Sequence, residues 1–143
     1  GTLAFTGGAT ISVADADNNL SSATLTVTNG VLNASNAGGA TVTNNGTATV
    51  TLTGSQAQIN TALATLDFRP TADYNGAATL TVVSSDGTAS DTDTVTITVS
   101  PVADVANDNL TTNEDTAVTA NVLTGTGGAS ADNFEGSPSV TAT

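Results

Sequence analysis

Polar and apolar residues alternate with period two along much of the first hundred positions. The clearest runs lie at 23–28, 48–53, 78–82 and 94–99, with threonine at most of the polar positions. This alternation is typical of strands with one face on a core and the other in water, and threonine suits the pleated surface. Two shorter candidate strands lie at 11–14 and 66–69. The pattern predicts β-structure nearly throughout this region.

Turn signals separate these runs. Asn-Gly pairs occur at 29–30, 45–46 and 75–76, and an Asp-Gly pair occurs at 86–87. Such pairs supply the backbone conformations that tight turns require. Short alternating strands joined by turns predict an all-β fold, an antiparallel β-sandwich.

One segment has helical rather than strand periodicity. Residues 55–58, Ser-Gln-Ala-Gln, have the form of a capping box, and apolar residues follow at helical spacing at Ile59, Leu63 and Leu66. This predicts one short crossover helix over about 55–65, passing between the two sheets with its apolar face in the core. Pro70 should end the next strand, because proline cannot donate to a sheet ladder.

The composition changes after Ser100. We predict a β-sandwich repeat over 1–100, an acidic inter-repeat linker over 101–115, and the incomplete start of the next repeat over 116–143. Residues 116–123 form a candidate strand, and residues 126–130 echo residues 6–10, as expected of a tandem repeat.

Residue types missing from the chain narrow its chemistry. The 143 residues include no His, Cys, Met or Trp, and the net charge of −12 leaves Arg69 as the one basic side chain. Without imidazole or thiol groups there is no catalytic triad and no zinc site of the usual kind. Without clustered Lys and Arg, nucleic acid and anionic membrane are unfavourable partners. We therefore expect a binding or structural protein rather than an enzyme.

The same composition suggests a location. Thirty of the 143 residues are threonine, lysine is absent, and no sulfur-containing residue occurs. This favours a secreted or cell-surface bacterial protein. The chain shows no signal peptide at its start and no apolar stretch of the roughly 20 residues that a membrane helix needs. We expect no membrane insertion.

Acidic and amide side chains cluster in two places. Asp15 and Asp17 precede two asparagines, and a second group gathers around the linker at Asp104, Asn107, Asp108 and Glu114. Calcium binds six to eight oxygen ligands of these types. If residues 13–17 were an extended strand end, Asp15 and Asp17 would project to one side and could face one ion. The acids outside these groups are interpreted as turn or loop residues: Asp67, Asp73, Asp86, Asp91 and Asp93.

Several of these motifs resemble one family. Residues 13–17 resemble the DxD motif of cadherin repeats, and residues 104–109 resemble the cadherin DxNDN linker with one extra residue. Residues 113–115 are placed like an acidic ligand early in a following module. The order of motifs is similar to bacterial cadherin-like and VCBS-type repeats of giant secreted, RTX-type adhesins, through the segments 52–54, 68–70, 72–76, 85–87, 95–99 and 113–116.

The resemblance implies immunoglobulin/cadherin-like sandwiches strung end to end, exported by type I secretion and stiffened by calcium. Asp15 and Asp17 would then bind calcium together with the linker of a preceding repeat. The following junction would use Asp104, Asn107 and Glu114, with Asp108 beside the inserted residue as a further candidate. Asp132 would be the partner from the next module.

These observations lead to one main functional hypothesis and two alternatives. The main hypothesis is a structural spacer repeat of an extracellular bacterial adhesin or surface fibre, whose partners are neighbouring repeats of the same chain. The first alternative is a subunit of a filament or surface layer, joined to neighbouring subunits by strand addition through its C-terminal segment. The second is a calcium-dependent glycan-binding module that uses Tyr74, since Phe5 and Phe68 are expected in the core.

Overall fold

The structure is a computed structural model that describes residues 1–102, 109–121, 124–127 and 129. Contacts divide the chain into Gly1–Val99 and Ser100–Thr143, and each unit is described by itself. The domain boundaries given above remain predictions.

The first unit consists of two antiparallel sheets and one helix. One sheet has three strands in the order β1-β6-β3, and the other has five in the order β4-β5-β2-β7-β8. The strand bounds are β1 Leu3–Ala4, β2 Ser22–Val27, β3 Gly30–Asn33, β4 Thr41–Thr43, β5 Thr49–Thr53, β6 Asp67–Pro70, β7 Gly76–Ser85 and β8 Ser90–Val99. All the pairings between these strands are antiparallel. The prediction of an all-β antiparallel sandwich is confirmed, and the immunoglobulin/cadherin-like type stays a prediction.

The core lies where the apolar positions of both sheets meet the helix. Leu25, Leu52 and Leu80 come from the larger sheet and are fully buried, and Leu32 and Phe68 come from the smaller one. Phe5 is also buried, so the prediction that Phe5 and Phe68 are core residues is confirmed. No polar or charged residue of the described chain is buried. The alternation in the strands is therefore explained by burial.

Helix α1, Gln56–Leu63, joins β5 in one sheet to β6 in the other. The Gln58 amide donates to Ser55 Oγ at 3.4 Å, and the Ser55 amide donates to Gln58 Oε1 at 2.9 Å. This capping box satisfies two amides at the helix start. Ile59 and Leu63 are buried, which confirms the predicted crossover helix and its core-facing side.

Residues 11–14 form no strand, contrary to the prediction. The Val13 amide donates to Asn60 Oδ1 at 2.9 Å, and Asn60 Nδ2 donates to the Val13 carbonyl at 2.8 Å. One amide side chain on α1 thus takes the place of a neighbouring strand. The apolar side chains of this segment still reach the core, because Val13 is buried and Ile11 packs against it.

The sandwich has two distinct ends. Ser22 pairs with both Thr53 and Ser85, and Ser85 pairs with Ser90 across the β7–β8 hairpin. We call this the hairpin end. At the opposite end Gly76 pairs with Val99, the last residue of β8. We call it the exit end, since the chain leaves the first unit there.

In the second unit, the described residues include a turn at 113–116, where the Thr116 amide donates to the Asn113 carbonyl at 3.2 Å. The strand predicted over 116–123 is not formed in its described part, 116–121, apart from a single bridge between Asn121 and Thr126. The Gly125 amide donates to the Asn121 carbonyl at 2.9 Å. Residues 122 and 123 and linker residues 103–108 lie outside the described residues.

Candidate functional site

The predicted ligands Asp15 and Asp17 lie in a tight turn at the hairpin end. The Asn18 amide donates to the Asp15 carbonyl at 3.2 Å, and Asn18 has a φ of 55°. Asn18 adopts this left-handed conformation more readily than most residues. The expectation of an extended strand end at 13–17 was wrong, so the argument that alternation points both carboxylates to one side does not apply.

Asp15 is held by contacts to its own loop and to α1. Its amide donates to Gln56 Oε1 at 2.7 Å, and its Oδ2 accepts from the Asn19 amide at 3.1 Å. Asp15 is half-buried, and Asp17 is exposed. The turn therefore presents one fixed carboxylate beside a solvent-exposed one.

A shallow depression of about 160 Å³ separates this loop from the β7–β8 hairpin. Three carboxylates line it, together with serine and small apolar side chains: Asp15, Asp86, Asp91, Ser84, Ser85, Ser90, Ala14, Leu20 and Ala89. The one basic side chain of the protein, Arg69, is not among the lining residues. The hairpin end therefore combines an acidic charge with oxygen donors.

Asp86 has a structural role in the hairpin turn. Its Oδ1 accepts from the Thr88 and Ala89 amides, each at 2.7 Å. These bonds, that from Ala89 first, hold the pKa of the Asp86 carboxyl below its ordinary value, because they favour the charged form. The interpretation of Asp86 as a turn residue is confirmed.

The other acids divide between turns and strands. Asp73 lies in a turn with a φ of 61°, as predicted. Asp67, Asp91 and Asp93 lie in strands, so their interpretation as turn or loop residues was wrong. Asp67 begins β6 and pairs with Asn33 of β3, whose Nδ2 donates to Asp67 Oδ1 at 3.0 Å.

Glu114 is exposed in the turn of the second unit, between Asn113 and Asp115. Asp115 has a φ of 60°, and Thr112 Oγ1 donates to the Thr116 carbonyl at 2.6 Å. A neighbouring depression of about 420 Å³ is lined by threonine, alanine, valine and Asn113, without a carboxylate. The remaining predicted ligands lie outside the described residues: Asp104, Asn107, Asp108 and Asp132.

In the part of the chain that the structure describes, no group of three or more acidic side chains is placed to hold a metal ion. Asp15, Asp17 and Glu114 offer oxygen donors of the kind that calcium prefers, but calcium takes six to eight. The described residues therefore fit a contribution to a calcium site and not a complete one. The metal ligands remain predictions.

Tyr74, the aromatic residue considered for glycan binding, packs against the core and is half-buried. Its hydroxyl donates to the Ala77 carbonyl at 2.6 Å just after the turn that leads into β7. This contact gives Tyr74 a structural role. Among the described residues, Phe5 and Phe68 offer no exposed ring either.

No protein-family model, no curated protein and no solved structure matches this chain. The resemblance to cadherin-like and VCBS-type repeats therefore stays a prediction. Within the described ranges, no helix is both long and apolar enough to cross a bilayer.

Proposed function

We propose that this protein is a non-catalytic structural spacer repeat of an extracellular bacterial adhesin or surface fibre. Its sandwich would be of the immunoglobulin/cadherin-like type, with calcium stiffening the junctions between repeats. One observation carries the proposal. The Asp15–Asn18 turn lies at the hairpin end, and the chain leaves β8 at the exit end.

This placement suits a head-to-tail array. Where copies stack with the exit end of one repeat against the hairpin end of the next, the acidic linker would approach the Asp15 and Asp17 turn. Each junction then receives oxygen donors from two repeats. A complete ligand set inside a single sandwich is not required.

The residues proposed to act at the two kinds of junction differ. Asp15 and Asp17 would serve the junction with a preceding repeat. The following junction would use the linker side chains and the start of the next module, namely Asp104, Asn107, Asp108, Glu114 and Asp132. Bound calcium would neutralise carboxylates that otherwise repel one another, and the linker would become stiffer as a result.

The test measures the binding of calcium to the full chain by calorimetry. It also compares thermal unfolding of the full chain in calcium and in EDTA. We expect binding, and a higher melting temperature in calcium, because a ligand at 100 times its Kd stabilises the bound form by about 2.7 kcal/mol. Small-angle scattering should also show a narrower range of end-to-end distances with calcium.

Matched charge variants make this test specific. Asp104→Asn should weaken calcium binding, whereas Asp67→Asn removes the same charge from β6, keeps an oxygen facing Asn33 and should leave calcium binding intact. If calcium neither binds nor changes the melting temperature or the scattering, the calcium mechanism is wrong.

The filament alternative requires a donor strand and an acceptor edge. Most of the C-terminal segment proposed as the donor lies outside the described residues, but β8 provides an exposed edge. Polymers of the full chain that grow with concentration would support this alternative. Their absence at high concentration would remove it.

A further inference from the structure

The outer edge of β8 is the longest sheet edge in the first unit. β8 has ten residues and ends the order of the five-stranded sheet. The other edge strands are much shorter: β4 has three residues, β1 two and β3 four. A long exposed edge is a template for pairing with another strand unless side chains oppose it.

The hydrogen bonds of β7 identify which backbone groups of β8 face outward. The Thr79 amide donates to Thr28 Oγ1 at 2.9 Å, and the Thr79 carbonyl accepts from the Thr28 amide at 3.0 Å. Both groups of Thr79 thus point toward β2. Thr96, which lies opposite Thr79, therefore directs its own amide and carbonyl to the outer edge. The same alternation applies to Thr92, Thr94 and Thr98.

The side chains of β8 differ between its two halves. On the core side, Asp91 lies opposite Ser84 and Asp93 opposite Val82, and both carboxylates are exposed. Further along the same side come Val95, Ile97 and Val99, of which Val95 and Val99 are only half-buried. The half near the hairpin is charged, and the half near the exit end is apolar.

We propose that the outer edge of β8 is a pairing surface for β8 of a second copy of this chain, and that Asp91 and Asp93 confine the pairing to the Val95–Val99 half. Two copies of one strand pair antiparallel about a two-fold axis, with residues of the same face opposite each other.

The register between the two copies of β8 explains why Asp91 and Asp93 restrict the pairing. Pairing centred on Val95 spans nearly the whole strand, and it places Asp93 opposite Ile97 and Asp91 opposite Val99 of the other copy. Each carboxylate would then lose water beside an apolar side chain, with no cation to compensate. Pairing centred on Ile97 instead places Val95 opposite Val99 and leaves both carboxylates outside, but the paired segment is short and its binding weak.

The outward face suits a second copy as the partner. With the axis at Ile97, Thr96 lies opposite Thr98 of the other copy. Such pairs already occur inside the sheet, where Thr24 and Thr51 hydroxyl oxygens are 3.5 Å apart and those of Thr26 and Thr49 are 3.3 Å apart. Cross-strand threonine pairs are among the favourable contacts of antiparallel sheets.

The decisive experiment is sedimentation velocity of the full chain in EDTA over a range of concentrations. Asp91→Thr with Asp93→Thr opens the long register, and we expect its dimerisation constant to tighten by at least about tenfold relative to the wild type. Asp67→Asn with Asp73→Asn removes the same charge from β6 and the turn that follows it, and should sediment like the wild type.

A further substitution tests the edge itself. Thr96→Pro, added to the β8 double variant, removes an outward amide without touching the β7 ladder, and it should restore wild-type sedimentation. In the double variant without proline, amide exchange at Thr92, Thr94, Thr96 and Thr98 should slow as concentration rises. A double variant that sediments like the wild type, or fast exchange at these amides in its dimer, would overturn the proposal. Calcium is absent throughout, so the result is independent of the proposed spacer function.

Discussion

At the scale of single residues, Asn60 connects helix α1 to the segment that precedes β2. Its amide group both accepts from the Val13 amide and donates to the Val13 carbonyl. Val13 is 9% exposed, so water has little access to replace these bonds. The same segment leads directly to Asp15, whose amide is held by Gln56 of the same helix. Helix α1 thus positions the candidate calcium-binding turn.

We predict that Asn60→Ala destabilises the fold by about 1–3 kcal/mol, because it leaves the backbone groups of Val13 without partners. Urea unfolding followed by circular dichroism measures the change. Thr61→Ala is the control, since the exposed Thr61 hydroxyl donates to the Ala57 carbonyl within the same helix. Equal stabilities for the two variants would show that the Asn60 contacts do not hold this segment.

At the scale of elements, the close approach of β3 to β6 depends on a glycine. A β-carbon on Gly30 would lie 2.5 Å from the Arg69 carbonyl oxygen and even nearer to the ring of Phe68. Phe68 is almost fully buried among the other core residues, and close-packed interiors leave such a ring little room to shift. Gly30 therefore allows β3 to lie close to β6 without a clash with the buried ring of Phe68.

Gly30→Ala should cost about 1–3 kcal/mol through overpacking, and should lower the melting temperature accordingly. Gly8→Ala is a suitable control, because nothing lies within 4 Å of the position of its β-carbon and its φ is not in the left-handed region. A Gly30→Ala variant that melts at the wild-type temperature would mean that β3 and β6 separate more readily than the structure indicates.

The elements that could be predicted from sequence are those whose pattern has a single physical cause. β2, β5 and β7 alternate because one face is buried, and α1 begins where the capping box predicts. The segment 11–14 has the same apolar pattern, but its partner is a side chain 47 residues away, which no local pattern reveals. The sequence pattern predicts a strand only from 94, because Asp91 and Asp93 occupy positions where the alternation requires apolar residues, whereas β8 begins at Ser90.

The candidate site was less predictable than the fold. The sequence indicates carboxylates near each other in the chain, but Asp15 and Asp17 lie in a turn closed by the bond from the Asn18 amide to the Asp15 carbonyl, which the alternation pattern does not reveal. The position of Asp91 beside Asp15 depends on the hairpin end of the sheet. One signal was available in the sequence, namely the regular Asp-Thr-Asp-Thr alternation that continues into the apolar positions of β8.

At the scale of the whole molecule, charge is unevenly distributed over the first unit. The outward face of the five-stranded sheet has eighteen paired strand positions; sixteen are Thr or Ser, the other two are Ala77 and Val83, and none is charged. The acids of the larger sheet and its connections instead lie in the Asp15–Asn18 turn, in the turn before β7, at the hairpin and on the core side of β8. Among the residues described in the first unit, the negative charge thus lies mainly at loops, turns and one edge.

This distribution leads to a prediction that separates specific calcium binding from general screening. Monovalent salt weakens repulsion between exposed carboxylates at any position, with a Debye length of about 10 Å at 0.1 M. Calcium bound at a junction acts at particular ligands and saturates. At equal ionic strength, we therefore expect calcium chloride to raise the melting temperature more than sodium chloride or magnesium chloride, because magnesium retains its own water more strongly. Differential scanning calorimetry of the full chain provides the comparison. Equal shifts in all three salts would show that the acidic residues respond as a diffuse charge, and would count against calcium-stiffened junctions.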